Sequence, residues 1–125
     1  MDDYIFVYLN DIRKSILEVE SYFVDYPMRF ETFEKDYKTR SAVERKVEIM
    51  AEAINRIHKI APDFQIPNAR GIVDTRNRII HAYDSVRPEF LWGLVIRHIP
   101  GLKKDIERLI QEELAKENPD QNIEQ

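Results

Sequence analysis

The sequence predicts an all-α fold, an up-and-down four-helix bundle with additional short helices. Three observations carry that prediction. Apolar residues recur at alternating spacings of three and four over long stretches, which is the period of one helix face. Only three glycines occur in 125 residues, and long stretches lack proline, which favours helices over a turn-rich sheet protein. The segments between the periodic stretches are short, and short connections favour antiparallel neighbours.

The length fits a single domain with one real core. The expected division is a helical domain over residues 1–116 and a flexible, polar tail over 117–125, where periodicity stops. Hydrophobic residues make up 43% and charged residues 34%, an ordinary soluble balance with a highly charged surface. The absence of cysteine excludes a disulfide framework, a thiolate nucleophile and a zinc–thiolate site, and fits a reducing cytoplasm. The apolar run Ile5 to Leu9 is too short for a signal peptide or a membrane span, so no membrane association is expected. A net charge of −4 means that nucleic-acid affinity would need local positive potential, from groups such as Arg70, Arg76, Arg78 and Arg87. No internal repeat, glycine-rich phosphate loop or metal-ligand cluster is present, and no cofactor is expected.

The first helix is expected from Asp2 to about Phe23, with Ile5, Leu9, Ile12, Ile16, Val19 and Phe23 on its buried stripe. Asp2 and Asp3 suit its N-terminal dipole, and Tyr4, Phe6 and Tyr8 lie off the stripe, where they could cover a second surface such as a subunit contact. Asp25-Tyr26-Pro27 breaks the pattern, and Met28 to about Lys35 forms a short helix carrying Phe30 and Phe33 inward. Thr39 or Ser41 then caps a long helix from about Arg40 to Ile60, ended by Ala61-Pro62. On it, Glu44, Glu48 and Glu52 form a row facing water with Arg45, Lys46 and Arg56 as partners, and His58 is a surface residue. Pro62 to Pro67 connects to a helix opened by Asn68. After Asp84 and Ser85 the chain turns, and Pro88 sits at a first helical position with Glu89 in the first turn. Leu91, Trp92, Val95, Ile96 and Ile99 form an apolar helix, expected to stop at Pro100-Gly101. Leu102, Ile106, Leu109, Ile110 and Leu114 carry the last helix to about Lys116.

The segment RGIVDTRNRIIHAYD, Arg70 to Asp84, is helical in pattern but carries polar groups where a core wants apolar ones. Ile72, Val73, Ile79, Ile80 and Tyr83 define its expected stripe, with Arg76 in the middle. A buried guanidinium costs stability unless an anion meets it. Asn77 and His81, four apart, share the adjoining face. Arg76 and His81 are roughly 140° apart around a helix and about 7.5 Å along it, within reach of one groove. On the residues alone, the histidine could instead be a cap and the arginine a partner of Asp74 or Asp84.

These groups suit phosphodiester chemistry on RNA, whose 2′-hydroxyl supplies the nucleophile. The ordinary pKa of an imidazole lies near neutrality, so a histidine at position 81 suits proton transfer. Arg76 presents a planar fork to phosphate oxygens. Asn77 could orient the phosphate or the histidine, and Tyr83 could donate a hydrogen bond or stack on a base.

Arg76-Asn77-x3-His81-x-Tyr83 resembles the signature of the HEPN superfamily, specifically its HepT-like branch. The preceding helix AVERKVEIMAEAINRI (42–57) and the sequel DSVRPEFLWGLVIRHIPGLKKDI (84–106) resemble the same branch. The chain departs from the branch at Asn68 and Ala51, where relatives often carry tryptophan and glycine. The resemblance implies a homodimeric, HEPN-like helical bundle in which two motifs line one cleft. It further implies a metal-independent endoribonuclease toxin with Arg76 and His81 as catalytic pair, Asn77, Arg76 and Tyr83 binding phosphate or RNA, and cyclic phosphate ends. The implied partner is a minimal nucleotidyltransferase antitoxin that adds AMP to Tyr83, placing negative phosphate beside Arg76. The rival expectation is a non-catalytic HEPN module that binds nucleotide or assists the nucleotidyltransferase.

Overall fold

The computed structural model describes residues 3–81 and 87–117, with the backbone alone for Ile80, His81 and Glu117. Every regular element among them is helical: α1 (Asp3–Tyr22), α2 (Phe30–Lys35), α3 (Tyr37–Ile60), α4 (Arg70–His81), α5 (Pro88–Gly93), a π-helical turn (Leu94–His98) and α6 (Ile99–Glu117). This is the expected bundle, with α1, α3, α4 and the run from α5 through α6 as its long members.

The core forms where the apolar stripes meet. Leu9, Ile12 and Ile16 of α1, Val47, Met50, Ile54 and Ile57 of α3, and Leu102 and Ile106 of α6 have no exposed surface. Full burial of each such side chain stabilises the fold by about 1.5–3 kcal/mol before chain entropy is counted. Helices α1 and α3 run antiparallel: Lys46 pairs with Glu18 near one end, and Arg56 lies 5.8 Å from the Tyr8 ring near the other. Lys103 ties α6 to Glu20 of α1 at 3.1 Å. Phe33 of α2 packs 5.1 Å from Trp92, with Phe23 6.2 Å from the same indole, an aromatic cluster beside the core. Tyr4 is exposed and stacks on Tyr8, which with Phe6 packs partly against the core. Ala51, one of the two departures from the HepT-like pattern, is completely buried in α3.

Three expectations change. The cap of α3 is Asp36, not Thr39 or Ser41: its carboxylate accepts from the Thr39 N–H at 3.1 Å and the Thr39 hydroxyl at 2.6 Å. The helix therefore opens at Tyr37, and these donors hold the Asp36 carboxyl below its usual range. In the glutamate row, Glu48 and Glu52 pair with Arg45 and Arg56 as expected, but Lys46 reaches α1 instead. Glu44 is half-buried, and burial pushes its carboxyl up.

The third change is at Pro100-Gly101, which does not interrupt the chain. The helical path runs on from Pro88 to Glu117 through the π turn, where the Ile99 N–H bonds to the Leu94 carbonyl five residues back. A proline inside an α-helix lacks a donor and crowds the carbonyl four residues before it. The wider π turn relieves that crowding just where the ring arrives. Among the described residues, no helix is long and apolar enough to cross a membrane.

Candidate active site

Helix α4 is entered through a fixed corner. Asn68 has φ 65°, a left-handed conformation that asparagine tolerates better than most residues. Its side-chain amide donates to Asp105 of α6 at 2.7 Å, so the second departure from the HepT-like pattern is a tether between the connector and α6. Ala69 then accepts from the Ile72 and Val73 amides, starting the first turn.

Among the described side chains, the buried positions at the entry to α4 and along it are Ala69, Ile72 and Thr75, spaced three apart. Thr75 satisfies its hydroxyl within the helix by donating to the Gly71 carbonyl at 2.8 Å. Val73 and Ile79, expected on the stripe, lie half-buried at its edges. The inner face is thus rotated toward Thr75 relative to the sequence expectation.

That rotation sets the position of Arg76. Its side chain is half-buried next to Thr75, and Nη1 donates to Asn77 Oδ1 across 3.4 Å, a long and weak bond. Among the described residues no carboxylate pairs with it. Asp74, the alternative partner raised by the sequence, stands 3.8 Å from Arg70 instead. The fork of Arg76 therefore keeps donors for an anion. Exposed Arg78 lies on another side of α4, its guanidinium 4.5 Å over the Phe90 ring. Arg70, beside Asp74, and Arg87 are exposed.

Of the sequence-predicted site, the structure brings Arg76 and Asn77 together and carries the backbone of His81 in the last turn of the same helix. The His81 side chain, Tyr83 and Asp84 lie outside the described residues. One feature of this face was not anticipated. His58, expected at the surface, is half-buried with Asn55 in the wall of a cleft of about 560 Å3 between the end of α3, the connector and the first turns of α4. The available signal was their i, i+3 spacing at the margin of the α3 apolar stripe.

A helical bundle that presents an uncommitted arginine on a helix carrying Arg-Asn-x3-His, in a sequence that continues to the motif tyrosine, has the build of a HEPN ribonuclease. A family model described as ribonuclease HepT-like matches residues 12–109, and the chain belongs to that family of ribonucleases. It is 32% identical over 110 residues to a Methanocaldococcus jannaschii protein provisionally named an RNase, covering 84% of this chain and 86% of that protein. It is 37% identical over 106 residues to a Thermococcus cleftensis protein named "Probable ribonuclease HepT", covering 82% and 92%. A third relative, from Caldanaerobacter subterraneus and also provisionally named an RNase, is 30% identical over 88 residues, 67% of this chain and 76% of that protein. No solved structure matches the chain at a significant level.

Proposed function

We propose that the chain is a metal-independent endoribonuclease, the toxin of a toxin–antitoxin pair, with Arg76 and His81 as its catalytic residues. The observation that carries this reading is Arg76 itself. A half-buried cation with no carboxylate partner among the described residues is costly for folding alone and suited to an anionic substrate. It stands in the HepT-like motif of a chain from a ribonuclease family.

In this reading the RNA supplies the nucleophile. Its 2′-oxygen attacks the adjacent phosphorus, the bond from phosphorus to the 5′-oxygen breaks, and the products end in a 2′,3′-cyclic phosphate and a 5′-hydroxyl. His81 handles the proton leaving the 2′-hydroxyl or the one gained by the 5′-oxygen. Arg76 holds the non-bridging oxygens as negative charge grows on them. Asn77, already hydrogen-bonded to Arg76, steadies the fork. Tyr83 contacts the RNA and is the residue to which a minimal nucleotidyltransferase antitoxin adds AMP. A phosphate there competes with RNA for Arg76. The working unit is a cytoplasmic homodimer with both motifs on one cleft.

The test is RNA cleavage in EDTA by the purified protein and by His81→Ala, with the intact mass of each measured. The expected result is cyclic phosphate ends from the parent and none from a folded His81→Ala. Undiminished cleavage by that variant contradicts the assignment. No cleavage by a parent of unmodified mass favours a non-catalytic nucleotide-binding or nucleotidyltransferase-partner module, whereas added AMP on Tyr83 marks a silenced enzyme.

A further inference from the structure

The cleft beside α4 has a composition that core packing does not explain. Its floor is apolar, made by Ile54, Ile66, Ala69 and Val73, of which the first three are buried. Its wall is polar: Asn55 and His58 from α3 face the cleft together with Asp74 from α4. Asn55 and His58 are half-buried, and neither side chain has a hydrogen-bond partner among the described residues. A carboxamide and an imidazole offer donors and acceptors together, in a cleft that is also lined by apolar side chains. That combination matches a planar heterocycle with polar edges, which needs stacking area and edge hydrogen bonds at once.

The position matches as well. Val73 and Asp74 precede Asn77 and His81 by four and seven residues, so these positions follow one strip of α4. From Val73 to Asn77 is just over one helical turn, a rise of about 6 Å, a step on the scale of a neighbouring nucleotide. The volume of about 560 Å3 falls within the range of small-molecule sites and accommodates a nucleoside.

We propose that this cleft is a base-recognition subsite that takes the single RNA base flanking the cleaved phosphate, read by Asn55 and His58 over the apolar floor. The proposal rests on the ribonuclease reading for its place beside the scissile bond. Arg76 and His81 act on groups that all nucleotides share, so any sequence preference must come from elsewhere. The cleft supplies it through groups that are lost with the base edge they pair with.

The experiment uses full-length protein, with Asn55→Leu and His58→Leu as variants, each checked for folding and oligomeric state. Cut positions are mapped on an RNA pool of random sequence, and binding of fluorescent 12-mers of A, C, G and U is followed by anisotropy. The parent is expected to prefer one base at a nucleotide next to the cut and to bind one homopolymer best. Either variant should flatten that preference about fivefold to tenfold, the scale of one lost hydrogen bond, with cutting continuing at non-preferred sites. Cutting with the preference unchanged in both variants overturns the subsite and leaves the ribonuclease reading intact. A variant that dissociates the protein while keeping base preference also overturns it, because the cleft is then filled by a second copy. A parent that cuts nothing yet discriminates homopolymers through Asn55 and His58 upholds the subsite while the ribonuclease reading fails. A parent without any base discrimination overturns the proposal.

Discussion

The seam between α1 and α3 and the inner face of α4 solve different problems with the same helical period. Along the seam Leu9, Ile12, Ile16, Val47, Met50 and Ile54 are completely buried, with Ser15 as a small buried polar residue. Charged residues such as Arg45, Glu48, Glu52 and Arg56 lie outside in ion pairs that face water. Among the described side chains of α4, only Ile72 is buried so completely. Thr75 and the half-buried Arg76 stand beside it where a packing helix would place leucine or isoleucine. Stability is concentrated where the pattern is uniform. Thr75 and Arg76 share the helix that gives up part of its apolar face to hold them.

This contrast can be broken most easily at the seam. Ile12→Ala removes a side chain with no exposed surface and leaves a cavity between three helices. We expect it to destabilise the protein by about 2–5 kcal/mol in urea unfolding, with cleavage per folded molecule unchanged. A loss below about 1 kcal/mol would show that the seam is not the main source of stability.

A smaller effect is expected at the start of α3. Asp36→Ala removes the acceptor for the Thr39 amide and hydroxyl and for the Tyr26 hydroxyl, at a cost of about 1 kcal/mol. Its pH dependence has a definite sign. Hydrogen bonds from Thr39 lower the folded carboxyl below its ordinary value. The stabilisation is therefore fully present above the unfolded pKa and disappears as pH falls through the folded one. Denaturant midpoints of parent and variant should converge below about pH 4. A gap that persists at low pH would mean that the cap does not act through its charge.

Glu44 gives the smallest effect and the opposite sign. Burial raises its carboxyl above the ordinary value, so its contribution to stability is full below the unfolded pKa and is lost as pH rises through the folded one. Glu44→Gln should then be slightly more stable than the parent at pH 7 and lose that advantage near pH 4. A variant less stable at pH 7 would show that the attraction of nearby Arg40 outweighs the cost of burial.

How much of this was legible in the sequence differs along the same line. The α1 stripe from Ile5 to Val19 could be read residue by residue because a uniform apolar face has one solution. Phe23, expected to continue it, lies past the helix end and is only half-buried. Pro88 at the first position of α5 was equally plain, since its fixed φ and missing donor suit only that place. Asp36 was missed because Thr39 and Ser41 stand in the same polar stretch with similar capping chemistry. Pro100 was read as a stop because a π turn leaves no clear mark in apolar spacing. On α4 the motif was legible, but the rotation that buries Thr75 and leaves Val73 at the margin depends on how the helix meets α3, which a single-helix pattern does not contain. Asn55 and His58 had no signal apart from their spacing, because the connector that closes a cleft over them belongs to another part of the chain.

The most direct test of the central claim is Arg76→Ala, followed by RNA cleavage rate and Tm on the same preparation. If Arg76 serves substrate rather than packing, cleavage falls by about 10²–10³-fold, as when a transition-state donor is removed, while Tm stays within about 4 °C of the parent. A Tm lower by about 10 °C or more, with cleavage per folded molecule retained, would make Arg76 a packing residue and contradict the account.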